Sequence, residues 1–194
     1  MSRDKFAIVA LFGKSGAGKD TVEKLLLQSP YSALFHGIVS CTTRPIRDNE
    51  TADVDYHYLT REEFTERMLR NEFIEALEFN GWFYGATVTE LDPKKINIGI
   101  FTPEGVKSLL NTKDEYNLKV LPIYIKACDK TRIMRTLERE DNPNVKEICR
   151  RFFADEEDFK DINYFHLNLF NDRDSMTDFE IVDTMLEYSL DFFD

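Results

Sequence analysis

Phe6-Ala-Ile-Val-Ala-Leu-Phe12 runs straight into Gly13-Lys-Ser-Gly-Ala-Gly-Lys19, and the fold turns on this junction. Seven apolar residues with no polar face read as a strand buried on both sides, as in a parallel sheet covered by helices. The next seven fit G-x-x-x-x-G-K, and a helical pattern follows to about Gln28, where Pro30 stops it. Strand, glycine-rich turn and helix together are the context that a phosphate-binding loop requires. Its glycines let backbone N–H groups wrap phosphate oxygens, the helix N-terminus adds positive potential, and Lys19 reaches the β- and γ-phosphates. The ordinary alternative is a glycine-rich turn with a solvated lysine, which the flanking strand and helix argue against. Gly13, Lys14, Ser15, Gly16, Ala17, Gly18, Lys19, Asp20 and Thr21 are therefore the candidate nucleotide-binding residues. Asp20 stands where Ser or Thr would hold Mg²⁺. A carboxylate can ligate magnesium, but it also brings negative charge close to the phosphates.

Outward from this junction, apolar runs recur at Leu34–Ser40, Ile96–Phe101, Leu118–Lys126 and Phe165–Phe170, although Pro122 weakens the third of these as a strand. Helical patterns fill the gaps. Thr60-Arg-Glu-Glu63 is a capping box opening a helix to about Asn71, Thr102-Pro103 is a cap before an N1 proline, and Asn144-x-x-Glu147 opens another helix. The alternation predicts an α/β fold with a mainly parallel five-stranded sheet flanked by helices. Asp53–Thr89 breaks the rhythm, with Tyr56–Leu59, Phe73–Phe79 and Gly81–Val88 as strand-like pieces around the capped helix, and is expected to form a small mixed α+β lobe. The final piece, Ser175–Phe193, places Phe179, Val182, Met185, Leu186, Leu190 and Phe193 near helical spacing, so it reads as an amphipathic helix with an acidic outer face.

A net charge of −11 would ordinarily count against a protein that binds anions. Residues 1–154, however, carry 23 acidic and 23 basic side chains, while residues 155–194 carry 13 and 2, so the excess lies wholly in the last forty residues. The hydrophobic share of 42% in 194 residues suits one sizeable core. Cys41, Cys128 and Cys149 are scattered, which suggests neither a disulfide framework nor a zinc site. The N-terminal apolar run is too short for a signal peptide, and no stretch approaches the length of a membrane span. A soluble, cytoplasmic protein is expected, with no nucleic-acid or membrane partner.

Val39-Ser40-Cys-Thr-Thr-Arg44-Pro-Ile-Arg47 follows the second apolar run, and two arginines three apart can clamp one phosphate with their guanidinium forks. Downstream come Asp55-Tyr56-His-Tyr58, Glu72-Phe-Ile-Glu75 and Gly81-Trp-Phe-Tyr84-Gly85. In order and spacing these elements resemble the guanylate kinase family, with its V-S-x-T-T-R-x-x-R, D-Y-x-F, E-F-[IL]-E and G-x-Y-Y-G. Together with the phosphate loop the likeness covers the N-terminal half, and the C-terminal half matches more loosely. The resemblance implies a P-loop kinase of one domain: a core at about 1–40, 90–128 and 162–194, a nucleoside-monophosphate-binding lobe at 41–89, and a helical lid at 129–161. It implies that Ser40, Arg44, Arg47, Tyr56 and Tyr84 bind the monophosphate and that Glu75 accepts from guanine N1–H and the amino group. It implies further that Arg135, Arg139 and Arg151 gather with Lys19 and Arg44 around the transferring phosphoryl group, and that Asn171 lies near the ATP adenine. ATP and Mg²⁺ are the implied cofactors. For the three lid arginines the ordinary alternative is surface pairing with Glu138 or Glu147.

Two departures bear on the chemistry. Where the family carries acidic I-L-D-x-D-x-Q-G at the end of a strand, this chain has Ile98-Gly-Ile-Phe-Thr102-Pro-Glu-Gly105, so Ile100 and Thr102 replace two aspartates. Ala86 replaces a hydroxyl residue that would touch guanine, with Thr87 adjacent. Either Asp20 takes over part of the lost magnesium role and activity survives, or the site has decayed to a nucleotide- or phosphopeptide-binding module. The retained loop glycines, Lys19 and lid arginines favour the first, an ATP-dependent kinase of GMP or dGMP, with another (deoxy)nucleoside monophosphate as the alternative substrate.

Overall fold

The computed structural model describes residues 5–47, 50–79, 81–139, 143–172 and 176–193. Strand β1 (Phe6–Phe12) leads through the glycine-rich turn into helix α1 (Lys19–Gln28). After a 3₁₀ turn come β2 (Phe35–Gly37) and β3 (Cys41–Thr42), then β4 (His57–Tyr58), α2 (Arg61–Leu69), β5 (Phe73–Phe79) and β6 (Trp82–Thr87). The chain continues through β7 (Ile96–Ile100), α3 (Pro103–Thr112), β8 (Leu118–Lys126), α4 (Asp129–Leu137) and α5 (Val145–Asp158), and ends with β9 (Leu167–Phe170) and α6 (Asp178–Phe193). The predicted start of the last helix at Ser175 lies outside the described residues.

The main sheet has the order β2-β7-β1-β8-β9, and every pairing in it is parallel. β1 is central, which explains why it tolerates no polar side chain. Val9 and Leu11 face α1 and α6, packing with Val22, Leu26, Ile181, Val182 and Met185. Ile8, Ala10 and Phe12 face the other layer with Val106 and Leu109 of α3. Each such buried aliphatic contributes about 1.5–3 kcal/mol. The second sheet, β4-β3-β6-β5, is mixed: β3 pairs β4 parallel, and β6 pairs both β3 and β5 antiparallel. It forms the small lobe expected from the broken rhythm.

Local signals and structure agree at most helix starts. Thr60 Oγ1 accepts from Glu63 N at 3.1 Å while Glu63 Oε2 accepts from Thr60 N at 2.7 Å, completing the capping box. Asn144 Oδ1 accepts from Glu147 N to start α5. Several expectations need correcting. Pro122 sits inside a full-length β8, because its carbonyl accepts from His166 N and its missing N–H faces the same side, just before β9 begins at Leu167. β2 is shorter than the Leu34–Ser40 run, because Leu34 belongs to the 3₁₀ turn and the chain leaves the sheet edge after Ile38 to build the small lobe. β9 starts two residues later than the run at Phe165. In α6 Val182, Met185, Leu186 and Phe193 pack into the core as the spacing predicts, joined by Ile181 and Ser189, whereas Phe179, 73% exposed, and Leu190 lie off that face.

Candidate active site

The glycine-rich loop forms where the junction predicts it, at the C-terminal end of the central strand. Gly18 adopts φ +88° as the N-cap of α1, and a Cβ there would collide with Asn171 Nδ2. Asn171, buried in the loop after β9, donates to Ala17 O at 3.1 Å and so supports the loop's backbone. Lys19 Nζ donates to Gly13 O at 2.8 Å and curls over the loop. Burial pushes its ammonium below the usual lysine range, and the neighbouring Asp20 and Asp155 carboxylates pull it back up. A cleft of about 230 Å³ adjoins the loop, lined by Lys14, Ala17, Tyr124, Lys126, Asp129 and Phe170 among others.

Two of the three arginines expected in a lid reach this loop. Arg135 Nη1 lies 3.4 Å from Ala17 O, and Arg139 Nη2 lies 3.5 Å from Asp20 Oδ2. Arg151 is instead engaged within its own helix, donating from Nε to Glu147 Oε1 at 2.8 Å beside Arg150. That is the ordinary surface pairing of these arginines; hydrogen bonds from Arg150 and then Arg151 hold the Glu147 carboxyl at about 2. Asp20 is 61% exposed on the first turn of α1, and Thr21 beside it is exposed too. Among the described residues no group of three or more His, Cys, Asp or Glu could hold a metal ion.

In the small lobe the predicted phosphate-binding side chains converge. The Arg44 guanidinium lies 4.9 Å from the Tyr56 ring centroid, and Tyr56 meets Tyr84 edge-on at 6.1 Å. Ser40, at the strand junction, accepts from His57 N through its carbonyl. Arg44 is buried and forms a bidentate pair with Glu50, at 2.6 and 2.5 Å. Glu50 also accepts from Tyr58 Oη and from Arg47 N, and the Arg44 hydrogen bonds hold its carboxyl at about 2. Arg47 is more exposed, 4.0 Å from Glu50. Sequence reasoning missed Glu50, which sits in an irregular loop with no periodicity to mark it.

Glu75 is buried, 6% exposed, between β5 and α3. A β-bulge between Phe73 and Glu75 re-aims it: Glu75 pairs with Ala86 and shares that face, while Thr87 pairs with Phe73 on the other. Its Oε2 has no hydrogen-bond partner and lies 3.1 Å from where a Cβ on Gly105 would be. Burial pushes the carboxyl up to about 8, offset in part by a hydrogen bond from Ala86 N–H. Thr102 is nearby, but its Oγ1 accepts from Gly105 N at 3.0 Å as the N-cap of α3. Thr87 Oγ1 bonds Thr89 Oγ1 on its own face, so it does not stand in for the hydroxyl missing at Ala86. The structure therefore brings Arg44, Tyr56, Tyr84 and Glu75 into the small lobe, places Ser40 at its entry and Thr102 beside it at the start of α3, and turns Thr87 away from Glu75.

Sequence reasoning also missed Arg132 and Asp155. Arg132 is 1% exposed, and its Nη2 donates to Asp155 Oδ2 at 2.6 Å. These residues are 23 apart and meet only through the packing of α4 against α5.

A phosphate loop at the end of a central parallel strand, faced by a small mixed lobe carrying an arginine–tyrosine cluster and a buried acid, defines an α/β phosphotransferase of the nucleoside monophosphate kinase class. The sequence profile of the guanylate kinase family matches residues 5–188, and the chain belongs to that family. The chain is 31% identical over 170 residues to the guanylate kinase of Chlorobaculum tepidum, covering 87% of this chain and 86% of that one. It is 29% identical over 164 residues to the guanylate kinase of Wigglesworthia glossinidia brevipalpis, covering 84% and 78%. Its fold matches the crystal structure of guanylate kinase from Anaplasma phagocytophilum with a TM-score of 0.67 at 20% identity, over 95% of this chain and 85% of that one. No helix among the described residues is long and apolar enough to cross a membrane.

Proposed function

We propose that this chain transfers the γ-phosphoryl group of ATP to GMP or dGMP by direct in-line displacement, forming ADP and the nucleoside diphosphate. The observation that carries the substrate assignment is the unpartnered, buried Glu75 Oε2 in the same lobe as the Arg44–Tyr56–Tyr84 cluster. A buried acceptor without a donor costs about 1–3 kcal/mol, and guanine N1–H and its amino group are donors that would satisfy it. Adenine offers a ring acceptor at the equivalent position. The relatives named as guanylate kinases support the same reading.

In this mechanism Arg44, Tyr56, Tyr84 and Ser40 hold the monophosphate, and Arg47 adds charge at the rim. The monophosphate oxygen is already an anion, so it attacks the γ-phosphorus without a strong general base while the bond to the β-bridging oxygen breaks. Residues Gly13–Thr21 cradle the donor phosphates, Lys19 reaches the β- and γ-oxygens, and Arg135 and Arg139 neutralise the charge that develops. Arg151 would need to leave Glu147 to join them. The cleft beside Tyr124 and Phe170 would take the adenine, with Asn171 holding the loop beneath it. We take residues 41–89 as the monophosphate-binding lobe and 129–161 as a lid on a core of 1–40, 90–128 and 162–194; closure of both would exclude water and suppress ATP hydrolysis.

Magnesium supplies charge neutralisation on the donor phosphates when bound. One carboxylate with phosphates and waters is a coordination Mg²⁺ accepts, so the exposed Asp20 fits that role in a chain that has lost the two strand-end aspartates. Asp20→Ser is expected to raise the Mg²⁺ concentration for half-maximal turnover at least fivefold; an unchanged Mg²⁺ dependence would show that Asp20 is not the ligand.

A second reading, a kinase for another purine monophosphate, is favoured by the capping bond that occupies Thr102 Oγ1 and leaves Glu75 to read the base. A coupled assay with ATP-Mg and a panel of ribo- and deoxynucleoside monophosphates tests both. Turnover with GMP or dGMP but not AMP is expected. Preference for a different base supports the second reading, and no turnover with any monophosphate overturns both.

A further inference from the structure

One buried charge, that of Arg132, takes no part in the proposed transfer. From the first turns of α4 its fork reaches three partners: Nε donates to Ser15 O at 2.9 Å, Nη1 to Asp129 Oδ1 at 2.6 Å and Nη2 to Asp155 Oδ2 at 2.6 Å. Its guanidinium also lies over the Phe152 ring at 4.4 Å. Asp155, near the C-terminal end of α5, accepts from Ser15 N at 2.8 Å, and its Oδ1 lies 3.3 Å from Ser15 Oγ. One residue of the phosphate loop is thus held by its N–H, its hydroxyl and its carbonyl, from two helices.

Such a pair is a poor source of stability, because the desolvation cost of burying both charges offsets most of their attraction. What it supplies is geometry. An arginine fork donates only in its own plane, so α4, α5 and Ser15 have one mutual arrangement in which all these bonds form. The loop is pressed against α4 at the neighbouring residue as well: a Cβ on Gly16, which sits at φ +77°, would come within 2.5 Å of Arg132 O and 2.8 Å of Thr136 Oγ1. Lys14, on the other side of Ser15, is ion-paired with Glu156 of α5. Three consecutive loop residues are therefore tied to the two helices.

We propose that Arg132 and Asp155 are positioning residues for the phosphate loop, a clamp that holds it in its phosphate-accepting shape before the donor nucleotide arrives. The clamp also anchors the α4–α5 pair at its root, against Ser15. Preorganisation of this kind improves binding by removing the ordering cost that a slack loop would incur on each encounter. The inference rests on the reading of this loop as the ATP site.

The test compares Asp155→Asn, Arg132→Met and Arg132→Lys with the unaltered chain. Calorimetry measures Mg-ADP and GMP binding, hydrogen exchange measures protection of the Ser15 amide, and thermal midpoints are recorded beside them. For Asp155→Asn and Arg132→Met the Kd for Mg-ADP is expected to rise at least tenfold, with GMP affinity within twofold and Ser15 exchange at least tenfold faster. Arg132→Lys should recover part of the ADP affinity. A purely structural pair would lower the midpoint and leave the ratio of ADP to GMP affinity unchanged, and that outcome overturns the proposal. Should Arg132→Met fail to fold, the ratio and the Ser15 exchange of Asp155→Asn decide alone. An unaltered chain that binds no Mg-ADP overturns the ATP-site reading and the clamp with it, whereas normal binding in every protein overturns only the clamp.

Discussion

Glu75 and Glu50 are carboxylates in one small lobe whose surroundings push them in opposite directions. Glu75, raised to about 8 by burial, binds a proton in the folded chain that the unfolded chain releases above about 4.5. Stability therefore falls as pH rises from 4.5 to 8, by ~3–5 kcal/mol over the window. Glu75→Gln is expected to flatten that slope in urea titrations at pH 5 and pH 8, and to lower kcat/KM for GMP at least a hundredfold. In the unaltered protein the KM for GMP should fall with rising pH and level off only above 8, because guanine's donors need the ionised form. Glu50, held at about 2 chiefly by Arg44, behaves the other way. Its contribution is present above pH 4.5 and lost as pH falls toward 2, by ~2–3 kcal/mol. Glu50→Gln should remove that acid dependence and raise the KM for the monophosphate by freeing Arg44 from its fixed position. The residue type and spacing of Glu75 were legible in the motif. Its charge state was not, because desolvation depends on what α3 packs over it.

At the scale of elements, caps and apolar runs were the readable signals, since both act over a few residues. Thr102 shows how one position can serve two scales. It ends the strand segment that lost its aspartates, and its side chain caps α3. Thr102→Ala should cost ~1 kcal/mol of stability, read as a lower urea midpoint with unchanged slope, from the loss of the cap alone. Thr102→Asp keeps a capping oxygen and is expected to stay within ~0.5 kcal/mol. Strand limits were less legible. Pro122 argues against a strand when only its missing donor is considered, yet β8 runs through it because the position faces the sheet edge ahead of β9. The β5 bulge, which aims Glu75, left no trace in the alternation of Phe73–Phe79.

For the whole molecule, the decisive contacts join segments far apart in the chain. α6 closes the core layer over β1 and α1, so Met185→Ala is expected to cost ~2–4 kcal/mol in chemical unfolding, while Phe179→Ser, at an exposed site on the same helix, should change little. The net charge of −11 belongs to this scale as well. Its excess lies in the last forty residues, and two of those acids, Asp155 and Glu156, are not mere solvated surface but partners of the phosphate loop. The parallel α/β architecture, the glycine-rich loop, the helix caps and the order of the guanylate kinase family motifs were legible along the chain, because each depends on a local pattern of polarity, glycine placement or capping. That Glu50 holds Arg44, that Thr87 turns away from Glu75, that Arg151 pairs within its helix, and that Arg132 and Asp155 grip Ser15 emerged only when the chain's segments packed together. Those relations depend on burial and on distances between segments, which sequence separation does not encode.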